Sequence, residues 1–348
     1  MACFSKSHAC RTISSLSAGT QTDVPLDYIK PDHICASISI FGTSFLPLFQ
    51  FDYFGGSVIN NLALSDKPYR IRGLTRDAKK DKAQALAKRG VEVWAVDLSA
   101  DNAEGIQKSF QGATYVFEHV DKAREIAEGK TLVEAAHKFG VKLLLVSSEP
   151  NATSVTNGNL TKVYHFDSKA GISDHARALG VPFVDIHAAG YMNSFTTFSR
   201  PRPAGDGSYV VDGIWPEDFR MPLLDTYHDF GLFVQLAIES DEFNRGDGKT
   251  IWAYGDQVTI PDQVRNISTV TGKKIAYNKV TEEQSRAGMV QAGLPPFVVD
   301  DMIEMFKFHE IWDSAYAAGS HIEPAKLARR PRPFKEYVEH EDWSTVFV

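Results

Sequence analysis

Short apolar runs alternate with stretches of helical spacing from residue 37 onward. Several runs, such as "VKLLLVSS", are almost continuously apolar, which is typical of strands buried on both faces. The predicted strands cover 37–41, 69–75, 91–98, 113–117, 141–148 and 181–188. The predicted helices cover 55–64, 77–90, 103–112, 122–140 and 168–179. Strands that alternate with helices form a parallel sheet covered on both faces, so we predict a doubly wound α/β fold.

The alternation of predicted strands and helices ends at about residue 190. Aromatic residues, proline and glycine dominate 191–225. Helical spacing returns over 226–239, 260–271 and 281–314. We predict a parallel-sheet domain over 37–190 and a smaller, mixed α/β substrate-side region over 191–348, interleaved with it. The segment "EPAKLARRPRPFKEYVEHEDWSTVFV" is predicted to be a docking tail with a short final helix.

Composition narrows the class of protein. The net charge of −7 and pI of about 5.9 argue against direct nucleic-acid binding, which needs a basic face. No apolar run reaches the roughly 18–20 residues that span a bilayer. The only cysteines are Cys3, Cys10 and Cys35, which form neither a disulfide framework nor a zinc motif. We expect a cytoplasmic protein, or a nuclear one if it is regulatory. Residues 1–36 are expected to be a disordered extension or a gene-prediction error.

A split glycine motif follows the first predicted strand. Gly42 ends "SISIFG" with Thr43 beside it, and Gly55 and Gly56 open "GGSVI". Glycines at such a position let backbone N–H groups approach a pyrophosphate at a helix N-terminus. The segment "TSFLPLFQFDYF" separates the two halves, however, and turn formation alone would also explain these glycines.

Charged residues follow the second and third strands. Arg76 comes directly after the second strand, where a basic residue accommodates the 2′-phosphate of NADP and an acid would instead bind the ribose of NAD. Lys79 and Lys80 add positive charge nearby. Asp97 ends the third strand, where such folds often contact adenine. Each of these could equally be a solvated helix-start or capping residue.

The segment after the fifth strand carries candidate chemistry. Ser147 closes that strand, and "YHFDSK" places His165 four residues before Lys169. Short-chain dehydrogenases have a serine here and a YxxxK motif whose lysine holds the ribose. Here His165 occupies the tyrosine position, and Tyr164 is one residue out of register. A lysine at a predicted helix start is otherwise usually solvated.

As a set, these segments resemble the NmrA-like family, a group of atypical short-chain dehydrogenase relatives. The chain as a whole resembles a fungal member of that family. The resemblance covers about 37–345 and is carried by "GGSVINNLAL", "GVKLLLVSS", "HFDSK", "GYMNSF" and "MIEMFKFHE". It implies a Rossmann domain over 37–190 that binds NADP, with NAD as the alternative. The positions implied to contact cofactor are Gly42, Thr43, Gly55, Gly56, Arg76, Lys79, Lys80, Asp97, Ser147, Lys169, Tyr191 and Asn193.

Two departures from the family pattern concern cofactor loops. About five residues usually separate the first glycine from the glycine pair, whereas twelve do so here, without the middle glycine. The loop after Phe117, which normally flanks the nicotinamide, is about six residues short. We interpret both changes as splicing or gene-model errors, which sequencing the transcript would test.

Two functions remain open, with an inactive product of a damaged gene as a third. The first is an oxidoreductase with Lys169 and His165 as catalytic groups. Its small-molecule substrate, aromatic or polyketide-like and belonging to fungal secondary metabolism, would contact "GYMNSFTTF" and residues 209–219. The second is a redox sensor that binds NAD(P) without turnover and regulates a transcription factor. The missing tyrosine favours the sensor.

Overall fold

The computed structural model describes residues 36–40, 52–118, 125–317, 322 and 324–347. Its strands are β1 Ala36–Ile40, β2 Tyr69–Thr75, β3 Glu92–Ala95, β4 Tyr115–Glu118, β5 Leu143–Ser148, β6 Phe183–Ala188, β7 Gly190–Tyr191, β8 Arg202–Pro203, β9 Tyr209–Gly213, β10 Arg220–Leu224, β11 Asp247–Ala253, β12 Asp256–Thr259 and β13 Ile275–Lys279. Its helices are α1 Asp52–Ala63, α2 Asp81–Lys88, α3 Ala103–Ser109, α4 Glu125–Lys138, α5 Ala152–Val155, α6 Tyr164–Leu179, α7 Thr226–Glu239, α8 Ile260–Thr271, α9 Glu282–Gln291, α10 Pro296–Ala317 and α11 Phe334–His340.

Seven of the described strands form one parallel sheet in the order β11-β6-β5-β4-β1-β2-β3. The chain runs outward from β1 through β2 to β3, then crosses back to β4 and continues outward on the other side. The strand order therefore reverses between β1 and β4. The prediction of a doubly wound α/β fold is confirmed.

The two faces of this sheet carry separate hydrophobic cores. On one face, α1 and α7 pack together, and their core includes Phe54, Phe230 and Phe233. On the other face, α3, α4 and α6 cover the sheet around Phe110 and Ile172. The strands alternate apolar side chains between the two cores, which explains the almost continuous apolar runs in the sequence.

The C-terminal part of the chain is interleaved with the sheet. Strand β11 pairs with β6 at one edge, and α7 lies against α1. Two three-stranded sheets, β12-β10-β7 and β13-β9-β8, belong to the smaller region. The final helix, α11, buries Phe334 and Val338 against α8, and the predicted docking tail therefore packs into the core of this region.

Several element boundaries differ from the predictions. Helix α6 begins at Tyr164 rather than 168, because contacts from α10 stabilise a first turn whose aromatic residues gave no helix signal. The predicted helix 281–314 is two helices, broken by Gly293, which has a φ of +85°, and the following prolines. The predicted helix 77–90 is shorter at both ends. Among the described helices, none combines the length and apolarity needed to cross a membrane.

Candidate functional site

The crevice of a doubly wound sheet lies at the carboxyl ends of its strands, where the strand order reverses. In this protein that point is the carboxyl edge between β1 and β4. Residues that follow β2, β3, β5 and β6 flank it from both sides. The site residues predicted from the described part of the sequence follow one of these strands, lie on α1 or α6, or, for Ser147, lie at the end of β5.

The first helix begins near this crevice. Gly55 and Gly56 lie in its first turns rather than before it, because Asp52–Phe54 already belong to α1. The expectation that the glycine pair begins the helix is therefore wrong by three residues. Phe54 is buried and packs edge-on against the ring of Tyr191 at 5.6 Å, which brings the segment after β6 against the start of α1. Gly42 and Thr43 lie outside the described residues.

Two arginines on or after β2 have different roles. Arg72 is buried, donates to Glu92 and to the carbonyls of Ser109 and Gln111, and lies 4.2 Å from the ring centroid of Trp94. It therefore anchors β3 and the turn after α3. Arg76, one residue beyond β2, is exposed at the carboxyl edge. Of these two arginines, Arg76 is the one whose side chain is exposed, and its role as a cofactor contact stays a prediction.

The remaining charged residues of this side are also exposed. Lys79 and Lys80 precede α2, with the Lys79 N–H donating to Asp77 at 2.9 Å. Asp97 lies two residues beyond β3, and its carboxylate accepts bonds of 3.3 and 3.2 Å from the N–H and hydroxyl of Ser99. These residues lie on the same side of the crevice as Arg76, consistent with an adenosine-binding half.

Ser147 is buried as the second-last residue of β5. The next residue, Ser148, lies 3.0 Å from the hydroxyl of Ser173 on α6, which donates to Asp185 on β6 at 2.5 Å. Burial raises the pKa of Asp185 to about 6, opposed by the Ser173 hydrogen bond. This chain of three polar groups fixes α6 against the sheet beside the crevice.

Helix α6 carries the two predicted catalytic residues on one face, because residues four apart in a helix lie above one another. His165 lies in its first turn and Lys169 one turn later, both partly buried. The helix follows β5 and starts at the carboxyl edge of the sheet. Nδ1 of His165 lies 2.5 Å from a carboxylate oxygen of Asp301 on α10.

The segment after β6 is divided between core and crevice. Met192 and Phe195 are buried against Phe334 in the smaller region, so they cannot line a cleft as the sequence predicted. Phe198 is 43% exposed, and Tyr191 is partly buried. The side-chain oxygen of Asn193 is buried without a hydrogen-bond partner. A buried acceptor without a donor costs free energy, which a ligand N–H or O–H at this position would recover.

In the 209–219 region Val211 is buried, whereas Asp212, Glu217 and Asp218 are exposed and the remaining residues are partly buried. The indole N–H of Trp215 donates to the Phe306 carbonyl on α10 at 3.1 Å. The hydroxyl of Tyr277 donates to the Trp215 carbonyl at 2.7 Å. Through these two hydrogen bonds, Trp215, which follows β9, connects Tyr277 of β13 to α10.

Sequence reasoning missed Asp301 and Asp185. Asp301 lies in "FVVDDMIEMF", 136 residues from its partner His165, and nothing in the local pattern distinguishes it from Asp300. Asp185 interrupts the apolar run "VPFVDIHA". An acid inside an otherwise apolar strand was the available signal for a buried polar group.

The described residues fit a dinucleotide. The sheet order supplies the crevice, Arg76 supplies a cation after β2, and Asn193 supplies a buried acceptor beside the segment that reaches α1. The described parts of the chain contain no cluster of three or more His, Cys, Asp or Glu residues placed to bind a metal ion.

A sequence model of the NmrA-like family matches residues 53–338. The chain belongs to the NmrA-like family. Its match begins at the first turn of α1, so it does not include the unusual segment between β1 and that helix. The expectation drawn from "GGSVINNLAL", "HFDSK" and the other family-like segments is thus confirmed at the level of the family.

Individual NmrA-like proteins are similar over most of the chain. The NmrA-like family domain-containing oxidoreductase malD of Malbranchea aurantiaca is 29% identical over 245 residues, covering 64% of this chain and 71% of the relative. The structure of the negative transcriptional regulator NmrA in complex with NADP has a TM-score of 0.66 at 20% identity, covering 88% of this chain and 94% of NmrA.

An Escherichia coli NADPH-dependent quinone oxidoreductase, QOR2, solved with NADPH, is similar to the same extent. Its TM-score is 0.66 at 19% identity, covering 87% of this chain and 99% of QOR2. These similarities establish that the NmrA-like fold is shared by proteins described as regulators and as reductases. The fold alone therefore does not separate the two functions.

Proposed function

We propose that the protein is an NADP(H)-dependent oxidoreductase that acts on a small aromatic or polyketide-like metabolite of fungal secondary metabolism. One observation carries this proposal: the main sheet is doubly wound, and Arg76, Asn193 and the His165–Lys169 segment come after strands β2, β6 and β5 in the chain. Relatives named as oxidoreductases, including that of Malbranchea aurantiaca, support it.

The cofactor would lie across the carboxyl edge of the sheet. Arg76 would bind the 2′-phosphate of NADP, because a guanidinium matches phosphate geometry better than other side chains do. Lys79 and Lys80 would add to the positive potential, and Asp97 would contact adenine. Gly55 and Gly56 would allow the start of α1 to approach the phosphates. NAD is the alternative cofactor.

The reactive half would lie on the side of α6. When bound, NADPH supplies a hydride, and the protein supplies binding, orientation and a proton. The ammonium of Lys169 would hold the ribose, as the family resemblance implies, while His165 replaces the usual tyrosine beside the substrate. Tyr191, Asn193 and the exposed ring of Phe198 would contact the substrate side, which favours an aromatic compound.

Cofactor binding is the first test. NADPH and NADH are titrated by fluorescence against wild type, Arg76→Ala and Arg70→Ala. Arg70 is the matched control because it lies on the same strand at the other end and pairs with Glu92 at 2.8 Å. We expect Arg76→Ala to weaken NADPH binding about tenfold or more, which is the effect of losing one charge-assisted pair, with NADH binding retained. Equal effects of both arginines would contradict the assignment.

Turnover is the second test. NADPH oxidation is followed with quinones and aromatic ketones for wild type, Lys169→Ala and Lys162→Ala. Lys162 is the control since it lies just before the same helix but binds Asp300 at 2.9 Å. We expect Lys169→Ala to lower kcat/KM by about tenfold or more, the effect of losing one charge-assisted hydrogen bond to the ribose. Activity that survives in Lys169→Ala would remove Lys169 from the site.

A redox sensor is the second candidate, favoured by His165 at the tyrosine position and by the similarity to NmrA, a negative transcriptional regulator. Such a protein would bind oxidised and reduced cofactor with different affinities and bind a transcription factor without turnover. NADPH binding with no oxidation across the whole substrate panel would support the sensor against the oxidoreductase.

A further inference from the structure

Two adjacent aspartates on α10 point at different partners. Asp301 pairs with Nδ1 of His165 at 2.5 Å, and the two side chains are only 8% and 14% exposed. Asp300 binds Lys162 at 2.9 Å and Arg286 at 2.6 Å on a more exposed surface. The chain therefore contains a nearly buried carboxylate–imidazole pair with a solvated carboxylate next to it in sequence.

We propose that Asp301 is a positioning residue that orients the His165 ring and keeps it protonated, so that His165 serves as the proton donor in place of tyrosine. This inference rests on the proposed oxidoreductase function and adds to it the residue that makes a histidine suitable for that role. Asp301 would act through His165 and would not itself touch the substrate.

The geometry supports this role in two ways. A carboxylate at hydrogen-bond distance favours the cationic form of an imidazole, and low exposure strengthens the attraction because water does not screen it. The same carboxylate fixes which ring nitrogen faces the substrate, as in other Asp–His pairs. Phe166 packs edge-on against the His165 ring at 4.7 Å and limits its rotation.

The other charges around the pair do not duplicate Asp301. From α10, Asp300 is bound to Lys162 and Arg286, and a carboxylate oxygen of Glu304 accepts the Lys162 backbone N–H at 2.7 Å. On the α6 side, Lys162 precedes the helix and Lys169 lies one turn after His165. Lys169 lies on the same helix as His165, so its positive charge disfavours a second cation there, and the carboxylate of Asp301 opposes that effect.

The proton step follows from the pairing. With Nδ1 held by Asp301, Nε2 is the nitrogen that would transfer a proton to the oxygen of a substrate carbonyl. The carbonyl carbon would accept the hydride that reduced nicotinamide supplies when bound, so the carbonyl would become an alcohol as the cofactor is oxidised. The imidazolium loses one proton and becomes neutral, and solvent returns that proton before the next turnover.

The first experiment measures the charge state without requiring turnover. The His165 imidazole is titrated by NMR in full-length wild type, Asp301→Asn, Asp301→Glu and Asp300→Asn, each with NADP⁺, and its signals are assigned by their absence in His165→Gln. We expect Asp301→Asn to move the titration midpoint down by about one pH unit or more, the effect of removing a neighbouring opposite charge. Asp301→Glu should restore part of the shift, and Asp300→Asn should change it little.

The second experiment measures the consequence for the reaction. In Asp301→Asn we expect kcat to fall about tenfold, part of the ~10²–10⁴-fold that a general acid contributes, with the KM for NADPH unchanged. The acidic limb of the pH–rate profile should move with the NMR midpoint. In a His165→Gln background, Asp301→Asn should have no further effect on kcat.

The outcomes separate this inference from the proposed function. An unchanged His165 midpoint in Asp301→Asn, or an equal shift in Asp300→Asn, overturns the role of Asp301 whether or not the enzyme turns over. A fall in kcat that persists in the His165→Gln background also overturns it, because a purely structural contribution would behave in that way. Cofactor binding without turnover would instead remove the oxidoreductase function, and with it the role of His165 as proton donor.

Discussion

Two buried aspartates on opposite faces of the sheet behave in opposite ways. Asp229, on α7, is fully buried, but hydrogen bonds from His228 and Arg329 outweigh the effect of burial and hold its pKa below the usual value. Asp185, on the α6 face, is buried beside the hydroxyl of Ser173, and its pKa rises to about 6. Similar burial thus gives opposite results, and the charge of the partners decides which.

The difference reflects where each partner comes from. Arg329 donates to Asp229 at 2.6 Å, and the backbone N–H of Arg332 donates to its other oxygen at 2.7 Å. Both belong to the tail, which is thereby fastened to α7. Asp185 accepts its hydrogen bond from the neutral hydroxyl of Ser173 on α6, and the charge of Arg177 on the same helix offsets only part of the effect of burial. The carboxylate of Asp229 is stabilised by an arginine that is distant in sequence. The carboxylate of Asp185 has a hydrogen-bond donor, but its ionised form remains unfavourable in the buried site.

Arg329→Ala should have the largest effect on stability. It removes an arginine from a fully buried carboxylate, but Arg329 is itself 32% exposed and His228 stays beside Asp229, so we expect a loss of about 3 kcal/mol, the low end of the range for broken buried pairs. Denaturant unfolding of wild type and variant measures the loss. Arg330→Ala is the matched control, since Arg330 is exposed and pairs with Glu336 on the surface. Equal losses for the two arginines would show that the buried pairing has no special role.

Asp185→Asn should change the pH dependence of stability. Because the pKa of Asp185 in the folded state, about 6, lies above the 3.8 of a solvated aspartate, its stabilising contribution is complete below pH 3.8 and is lost as the pH rises through 6. The variant cannot ionise, so its stability relative to wild type should be up to about 3 kcal/mol higher at pH 7 than at pH 4. Urea unfolding at both pH values tests this, and a constant difference would contradict it.

Two glycines allow the helix packing on each face to be compared. A Cβ at Gly231 of α7 would overlap the Ser57 carbonyl of α1, whereas one at Gly129 of α4 would overlap the flexible end of Ile172 on α6. Backbone cannot move aside as a side chain can. Gly231→Ala should therefore lose about 1–3 kcal/mol, and Gly129→Ala distinctly less, because the better helix propensity of alanine offsets the crowding. Thermal unfolding ranks the two variants.

Arg286→Ala should have the smallest effect. Arg286 bridges Glu282 at 3.0 Å and Asp300 at 2.6 Å, but all three side chains are about one-third exposed. Water and salt screen such pairs, so the loss should be several times smaller than that of Arg329→Ala and should vanish at high salt. Unfolding curves at low and high sodium chloride measure the loss of stability. A large loss that does not depend on salt would show that Arg286 contributes as much as the pairing of Arg329 with Asp229.

Features set by local order along the chain could be predicted from the sequence. Continuous apolar strands, helix spacing and the position of Arg76 directly after β2 each depend on neighbours in sequence. The site depends on both local and distant contacts: His165 and Lys169 were found from a local motif, but Asp301 joins them from 136 residues away. The start of α6 was missed for the same reason, because tertiary contacts rather than propensity form its first turn.

The fastening of the tail to α7 also bears on how the chain folds during synthesis. Asp229 and Arg329 are 100 residues apart, and β11, which completes the edge of the sheet, lies between them. When α7 has emerged from the ribosome and Arg329 has not, the carboxylate of Asp229 has His228 beside it but lacks the arginine that it binds in the folded protein. We therefore expect strands β1 to β6 to pair early and the α7 face to close fully only after Arg329 and Arg332 have emerged.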